Sequence, residues 1–222
     1  FEVVTGVQTC ALPILKMNEK TMFKLTYGLF VLTARQGEKD NGCIINTAGQ
    51  VTAVPNRISI AVNKANYTHD MVLATKKFNV SILSEDAKFS TFQRFGFQSG
   101  KDVNKFEGYD QVKRAENGIY YVTEGTNGYI SATVESTMDL GSHTLFIAAV
   151  DDMDVLSDVP STTYNYYQSN IKPKPAAPAS KTGKTIWRCR ICGYEYEGEE
   201  LPADFICPVC KHPASDFEKV IV

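Results

Sequence analysis

Apolar residues recur at every second position through much of this chain. Ile58, Ile60 and Val62 share one face of RISIAVN, and Phe78, Val80 and Ile82 share one face of FNVSIL. Successive side chains of a strand point to opposite faces of a sheet, so both segments are predicted to be strands with one face buried. The runs Leu25 to Ala34 and Gly42 to Thr47 predict two more strands, with QGEKDNG between them turning at its Asp-Asn-Gly end. Tyr129 to Met138 and Thr144 to Leu156 predict long late strands. Two short helices interrupt the pattern. One is opened by Thr68, whose hydroxyl can cap an unpaired N–H, and carries Met71, Val72 and Ala74; the other lies around Asp86 to Arg94. Many strands, short turns and brief helices predict a mainly β protein built on a closed antiparallel barrel. Gly-x-Gly-x-x-Gly and Walker cradles are absent.

The alternation stops at IKPKPAAPASKTGK, where three prolines, small residues and lysines replace it. Such a segment buries no core and predicts a semi-extended linker over 172–184, between a large domain at 17–171 and a small one at 185–222. In polyproline geometry its reach is on the order of 40 Å. The first stretch, FEVVTGVQTCALPIL, has no basic region before its apolar residues and does not read as a signal peptide. It resembles a translated adapter fragment, and residues 1–16 are expected to be foreign or unstructured, with Met17 as the natural start. Cys10 is therefore set aside.

Hydrophobic residues make up 43% and charged residues 22% of the 222, which argues against a disordered or collagenous chain. The net charge of −2, with no long basic run, argues against a nucleic-acid surface. The apolar run Leu145 to Val150 falls far short of the roughly 18 residues that span a bilayer, so no membrane segment is expected.

Four of the six cysteines form two Cys-x2-Cys pairs, Cys189 with Cys192 and Cys207 with Cys210, separated by fourteen residues. Two residues between cysteines let both thiolates reach one ion from a single turn, and two such turns complete a tetrahedral S4 site. The geometry accepts zinc or iron, and two disulfides are the remaining alternative. A chain of about 38 residues buries too little apolar surface to fold securely without such a staple. Paired cysteines without a secretory signal point to metal in a reducing compartment, the cytoplasm. Cys43, on a predicted strand, is expected to be a buried, inert thiol.

Trp187, Cys-x-x-Cys-Gly-Tyr, the Leu-Pro-x-Asp-Phe stretch at 201–205, Cys-Pro-x-Cys at 207–210 and Phe217-Glu218 resemble rubredoxin over nearly the whole small domain. The resemblance implies one iron on the four cysteines and an aromatic core of Trp187, Tyr194, Phe205 and Phe217. Lys211 departs from it, since the family usually has Gly after its last cysteine.

An iron site of this kind takes one electron, whereas a flavin accepts a hydride and releases electrons singly. NGCIINTAGQVTAVPNRISIAVNKANYTHDMVLATKKFNVSILS resembles the flavin reductase family of FMN-binding split β-barrels, supported by FGFQSGKDVNKF at 95–106 and Gly-Ser-His-Thr at 141–144. The resemblance implies a non-covalent FMN held by Asn46, Thr47, Gln50, Val51, Thr52, Asn63, Lys64 and Thr68, and a homodimer in which a second subunit completes the site. Lys64 would supply positive charge to the phosphate, with Thr68 adding a hydroxyl at a helix N-terminus. Taken from its residues alone, Lys64 is a solvated turn residue and Thr68 a helix cap. His143 is either structural or, by the resemblance, lines the flavin face where nicotinamide docks. His69 is expected at a helix start and His212 on the surface. Tyr164, Tyr166 and Tyr167 are expected to pack on the barrel or form an aromatic contact surface.

A flavin reductase barrel, a tether and a rubredoxin resemble the high-molecular-weight rubredoxins. That family implies electron flow from NAD(P)H through FMN to iron and on to a separate partner such as a flavodiiron protein that reduces nitric oxide or dioxygen. The alternatives are a reductase of free flavin or ferric chelates with an accessory rubredoxin, and a non-enzymatic binding module with structural zinc.

Overall fold

The computed structural model describes residues 18–173, 185–190, 193–208 and 212–221. The N-terminal stretch, most of the linker, Cys192, Cys210 and Lys211 lie outside the described residues.

The large domain is one seven-stranded antiparallel sheet. Its strands are β1 (Phe30–Gln36), β2 (Lys39–Ile45), β3 (Gly49–Ala53), β4 (Asn56–Asn63), β5 (Lys77–Leu83), β8 (Thr126–Asp139) and β9 (His143–Val155). A separate hairpin pairs β6 (Val112–Arg114) with β7 (Tyr120–Val122), and the helices are α1 (Tyr67–Thr75), α2 (Phe89–Gly96) and a single turn, α3 (Tyr164–Tyr166). In the sheet the order is β2-β1-β5-β8-β9-β4-β3.

A flat sheet would hold β2 and β4 five strands apart, about 24 Å at ~4.8 Å per strand. The observed sheet curls until the residue two past the end of β2 reaches β4. Just past β2, the Thr47 hydroxyl donates to the Ala61 carbonyl at 2.6 Å and accepts from the Ala61 N–H at 3.2 Å. Two irregularities in the β8–β9 register, at Ser131/Ala132 and Val134/Ser136, bend the longest hairpin and supply the curl. Inside lies one core cluster drawn from every side, including Leu32, Cys43, Ile60, Val62, Met71, Phe78, Val80 and Phe146. The closure is by side chain rather than by a β2–β3 ladder, so the barrel is split along that seam.

The alternation in β4 is as expected, with Ile58, Ile60 and Val62 buried. In β5 it is not: Asn79 and Ser81 are as buried as Phe78 and Val80. The β6–β7 hairpin covers the outer face, where Asn79 Nδ2 donates to the Ile119 carbonyl at 2.9 Å and the Val122 N–H donates to Ser81 Oγ at 2.9 Å. The two polar side chains read as solvent-facing, yet each takes the place of a missing strand neighbour. The β1–β2 turn also differs from expectation. It falls at Gly37–Glu38, with Gln36 opposite Lys39 and φ of 60° at Gly37, so Asp40, Asn41 and Gly42 sit inside β2. A two-residue hairpin turn needs left-handed backbone at its first position, which Gly37 supplies without strain.

A second apolar cluster, with Val31, Leu83, Phe92, Phe95 and Tyr167, seals the sheet's outer side under α2. Phe92 and Tyr167 have ring centroids 4.3 Å apart, which realises the packing role expected for Tyr167, while Tyr164 remains exposed.

The small domain pairs β10 (Thr185–Cys189) with β11 (Glu195–Glu197) and β12 (Phe217–Ile221) in the order β11-β10-β12. Its core joins Cys189, Cys207 and Phe217 to Trp187, Tyr194, Tyr196, Leu201 and Phe205. All four aromatics named from the sequence are among them.

Candidate functional site

Two polar constructions stand out on the large domain. The first is a cleft of about 330 Å³ between β2, the start of α1 and the loop after α2, lined by Asn41, Cys43, Asn66, Tyr67, Thr68, Ser99, Gly100 and Lys105 among others. Asn66 is the N-cap of α1 and gives no side-chain cap bond, and Asn66, Tyr67 and Thr68 line the cleft, so the partial positive charge of this helix start lies beside it. Thr68, expected as the cap, lies inside the helix; it is fully buried, and its hydroxyl accepts from Asn41 Nδ2 at 3.0 Å. Gly100 closes tightly on Asn41, since a Cβ there would meet Asn41 Oδ1 at 2.1 Å.

Lys105 is the cleft residue that sequence reasoning missed. It is 3% exposed, and its ammonium donates to the carbonyls of Gly42 (2.8 Å) and Phe95 (3.1 Å). Burial pushes its pKa below the usual lysine range, with Cys43 partly offsetting this, and burial pushes the Cys43 thiol up. Cys43 thus stays a protonated thiol, as expected for an inert core position.

The second construction lies where β4 meets β9. Asn63 pairs with His143 in the ladder, Lys64 Nζ reaches Asp139 Oδ1 at 2.6 Å, and His143 Nδ1 lies 2.9 Å from Ser142 Oγ. The Lys64 ammonium holds the Asp139 carboxyl below its ordinary range. His69, buried rather than merely at a helix start, ties this corner to α1 through Thr144 Oγ1 at 2.9 Å. Asn63, Lys64, Thr68 and His143 are therefore gathered around the start of α1, although of these only Thr68 lines the cleft itself.

The other residues named from the sequence lie elsewhere. Gln50, Val51 and Thr52 are on β3, exposed along its whole length; Gln50 bonds Asn56 Oδ1 at 3.1 Å and Thr52 bonds the Pro55 carbonyl at 2.6 Å. Beside them runs an apolar groove with Phe30, Ile58, Val80, Ile130 and Met153. Asn46 lines a third depression with Leu25, Tyr27 and Tyr164, and Thr47 forms the closure seam.

In the small domain, Cys189 and Cys207 are both buried, each at the start of a turn. The Gly193 N–H donates to the Cys189 carbonyl at 2.9 Å and the Cys189 N–H to the Tyr194 carbonyl at 2.8 Å; the second turn repeats the latter bond from Cys207 to His212 at 2.8 Å. Gly193 closes its turn with φ of 78°, and the matching position in the second turn is Lys211, outside the described residues. Two such turns, each opening with a buried thiol inside an aromatic shell, fit an S4 iron site.

The cleft and the cysteine turns together define a flavoprotein barrel carrying its own iron domain. Residues 22–174 match the flavin reductase like domain, and residues 187–218 match the rubrerythrin, rubredoxin-like domain. The chain belongs to the flavin reductase-like family, in the two-domain form that adds a C-terminal rubredoxin-like domain. It is 34% identical to the high molecular weight rubredoxin of Moorella thermoacetica, over 92% of this chain and all of that protein. It is also 33% identical to the ferric-chelate reductase (NAD(P)H) of Archaeoglobus fulgidus, over 74% of this chain and 96% of that protein. The NADH:FAD oxidoreductase of Streptomyces globisporus shares the fold at a TM-score of 0.59 and 20% identity, over 65% of this chain and 84% of that one. The protein is an FMN-dependent oxidoreductase with flavin in its large domain and iron in its small one. Among the described residues, no helix is long and apolar enough to cross a membrane.

Proposed function

We propose that the chain carries electrons from NAD(P)H through FMN to an iron on Cys189, Cys192, Cys207 and Cys210, and then to a separate acceptor such as a flavodiiron nitric oxide or dioxygen reductase. The observation that carries this reading is the presence, in one chain, of a hydride-accepting and a one-electron centre. FMN supplies the conversion of a hydride into single electrons. The protein's own residues bind and orient. The α1 N-terminus, Thr68 and Lys105 make the cleft a seat for a phosphate, where oriented N–H groups and a buried ammonium favour a dianion. Asn63, Lys64 and His143 form the adjoining corner, with His143 proposed to face the nicotinamide.

Several residues named from the family resemblance are spread along the β3–β4 hairpin, from Gln50 and Thr52 on β3 to Asn63 at the end of β4 and Lys64 just past it. An exposed edge strand beside an apolar groove suits a second copy of the chain, so the flavin site is proposed to be completed in a homodimer. The linker at 172–184 is proposed to tether the iron domain at millimolar-scale effective concentration, roughly as short flexible linkers do. Thiolate ligation of iron supports a reducing compartment, proposed to be the cytoplasm.

Anaerobic addition of NADH or NADPH to the holoprotein, followed at flavin and ferric-iron wavelengths, tests the route: flavin bleaching followed by loss of the ferric spectrum supports it, and bleaching with persistent ferric absorbance refutes it. The ferric-chelate reductase relative favours a second reading, in which the barrel serves soluble acceptors. On that reading, removing the small domain leaves physiological reduction intact.

A further inference from the structure

We propose that the loop from Phe97 to Lys105 is the docking seat for the chain's own rubredoxin-like domain, with Phe97 as its anchor and His212 as the small-domain residue presented to the flavin cleft. The inference rests on the electron route above and names the surface through which its internal step passes.

Phe97 ends α2, and its half-buried ring lies 5.9 Å from the Phe89 ring. The same ring packs against the small domain's core of Cys189, Cys207 and Phe217. Among the described residues, Phe97 alone of the large domain joins that cluster. His212 of the small domain lines the cleft alongside Asn41, Thr68, Ser99 and Lys105. Because the Cys207 N–H donates to the His212 carbonyl, Cys207 lies close behind His212.

The seat is stiff for identifiable reasons. Lys105 pins one end to the backbone of β2 and α2. Gly100 rests on Asn41 without room for a side chain, and the N–H groups of Asp102 and Val103 both donate to the Ser99 carbonyl. A fixed loop that displays one aromatic ring is a small contact of the transient kind. Tethering lets a weak contact suffice: at roughly millimolar effective concentration, a seat of millimolar affinity is filled about half the time. While docked, His212 faces the cleft, and release turns that side of the small domain toward an external acceptor. Each NAD(P)H gives up a hydride to become NAD(P)+, with one proton released per hydride. Its two electrons leave one at a time through the chain's single iron, which goes from ferric to ferrous while docked, is reoxidised by the external acceptor after release and docks again.

The test uses the full-length protein with FMN and iron, as wild type, Phe97→Asp, Phe97→Leu and His212→Glu. Small-angle scattering reads the docked population, and stopped-flow absorbance after NAD(P)H addition reads flavin and iron separately. Phe97→Asp and His212→Glu are expected to expand the molecule and to slow iron reduction about tenfold relative to flavin bleaching in the same trace, with Phe97→Leu near wild type. Unchanged scattering together with unchanged iron reduction in both charged variants would overturn the docking seat. If wild-type flavin bleaches and iron does not respond, the electron route fails instead, and scattering alone decides the seat: expansion in the charged variants supports it, and no expansion refutes it.

Discussion

The Thr47 side chain and the Ala61 backbone satisfy each other in both directions, the hydroxyl donating to the carbonyl and accepting from the N–H. This seam joins strands that the hydrogen-bonded ladder leaves at opposite sides of the sheet. Thr47→Val keeps the shape and removes both bonds. It is expected to cost about 1–3 kcal/mol in urea denaturation, because the Ala61 N–H and carbonyl lose their partner. A loss of stability matched by weaker FMN binding would show that closure of the seam also shapes the flavin site.

Lys105 and Lys64 are expected to differ in their effect on FMN. Lys105 lines the cleft, whereas the Lys64 ammonium is already engaged by Asp139. Replacing Lys105 with Met removes a charge-assisted contact worth roughly 1.5–3 kcal/mol, a loss of about tenfold or more in FMN affinity. Riboflavin, which lacks the phosphate, should bind the variant as it binds the wild type. Thr68→Ala should likewise weaken FMN while sparing riboflavin, without removing the Lys105 anchor, and Lys64→Ala should weaken FMN less. Equal weakening for both flavins in isothermal titration would remove the phosphate assignment.

Trp187 is the one tryptophan in the chain and sits in the small domain's core, so its emission reports on that domain alone. Chelating the iron, or replacing Cys192 with Ser, should shift Trp187 emission to the red and abolish the iron spectrum while bound flavin is retained. The reason is size: an aromatic shell around three buried residues cannot offset the chain entropy of about 38 residues without a metal. Loss of flavin with the iron spectrum intact would contradict the division of cofactors.

Tyr129 donates to Asp152 Oδ2 at 2.7 Å and stacks on Tyr121 with ring centroids 4.0 Å apart. The carboxylate as acceptor pushes the Tyr129 pKa up to about 12 from 10.0. The folded state therefore holds this proton more tightly than the unfolded state, and the stability contribution, complete below pH 10, is lost as pH rises through the folded value. Ultraviolet titration of Asp152→Asn should bring one tyrosine back toward its ordinary range. An unchanged titration curve would show that Asp152 does not set it.

Local patterning was enough for the elements whose environment is one-sided. The alternation of Ile58, Ile60 and Val62 matches burial in β4, and the aromatic positions around the cysteines match the small domain's core. Two nearby cysteines constrain each other through a single turn, so a Cys-x2-Cys pair can be proposed as half of a ligand set without tertiary information. The sequence by itself thus determined a mainly β reductase-like domain followed by a rubredoxin-like one. Tertiary structure decided what depends on distant backbone. Asn79 and Ser81 are buried because the β6–β7 hairpin, some forty residues later, offers them partners. Lys105 looks like any lysine in a loop that also holds Lys101 and Asp102, and only the carbonyls of Gly42 and Phe95 make a buried ammonium tolerable there. Phe97 reads as one more apolar residue at a helix end, and its meeting with the cysteine core depends on a contact across about a hundred residues of chain. No periodic pattern encodes such contacts, because the partner groups are backbone atoms or residues whose position is set by the fold as a whole.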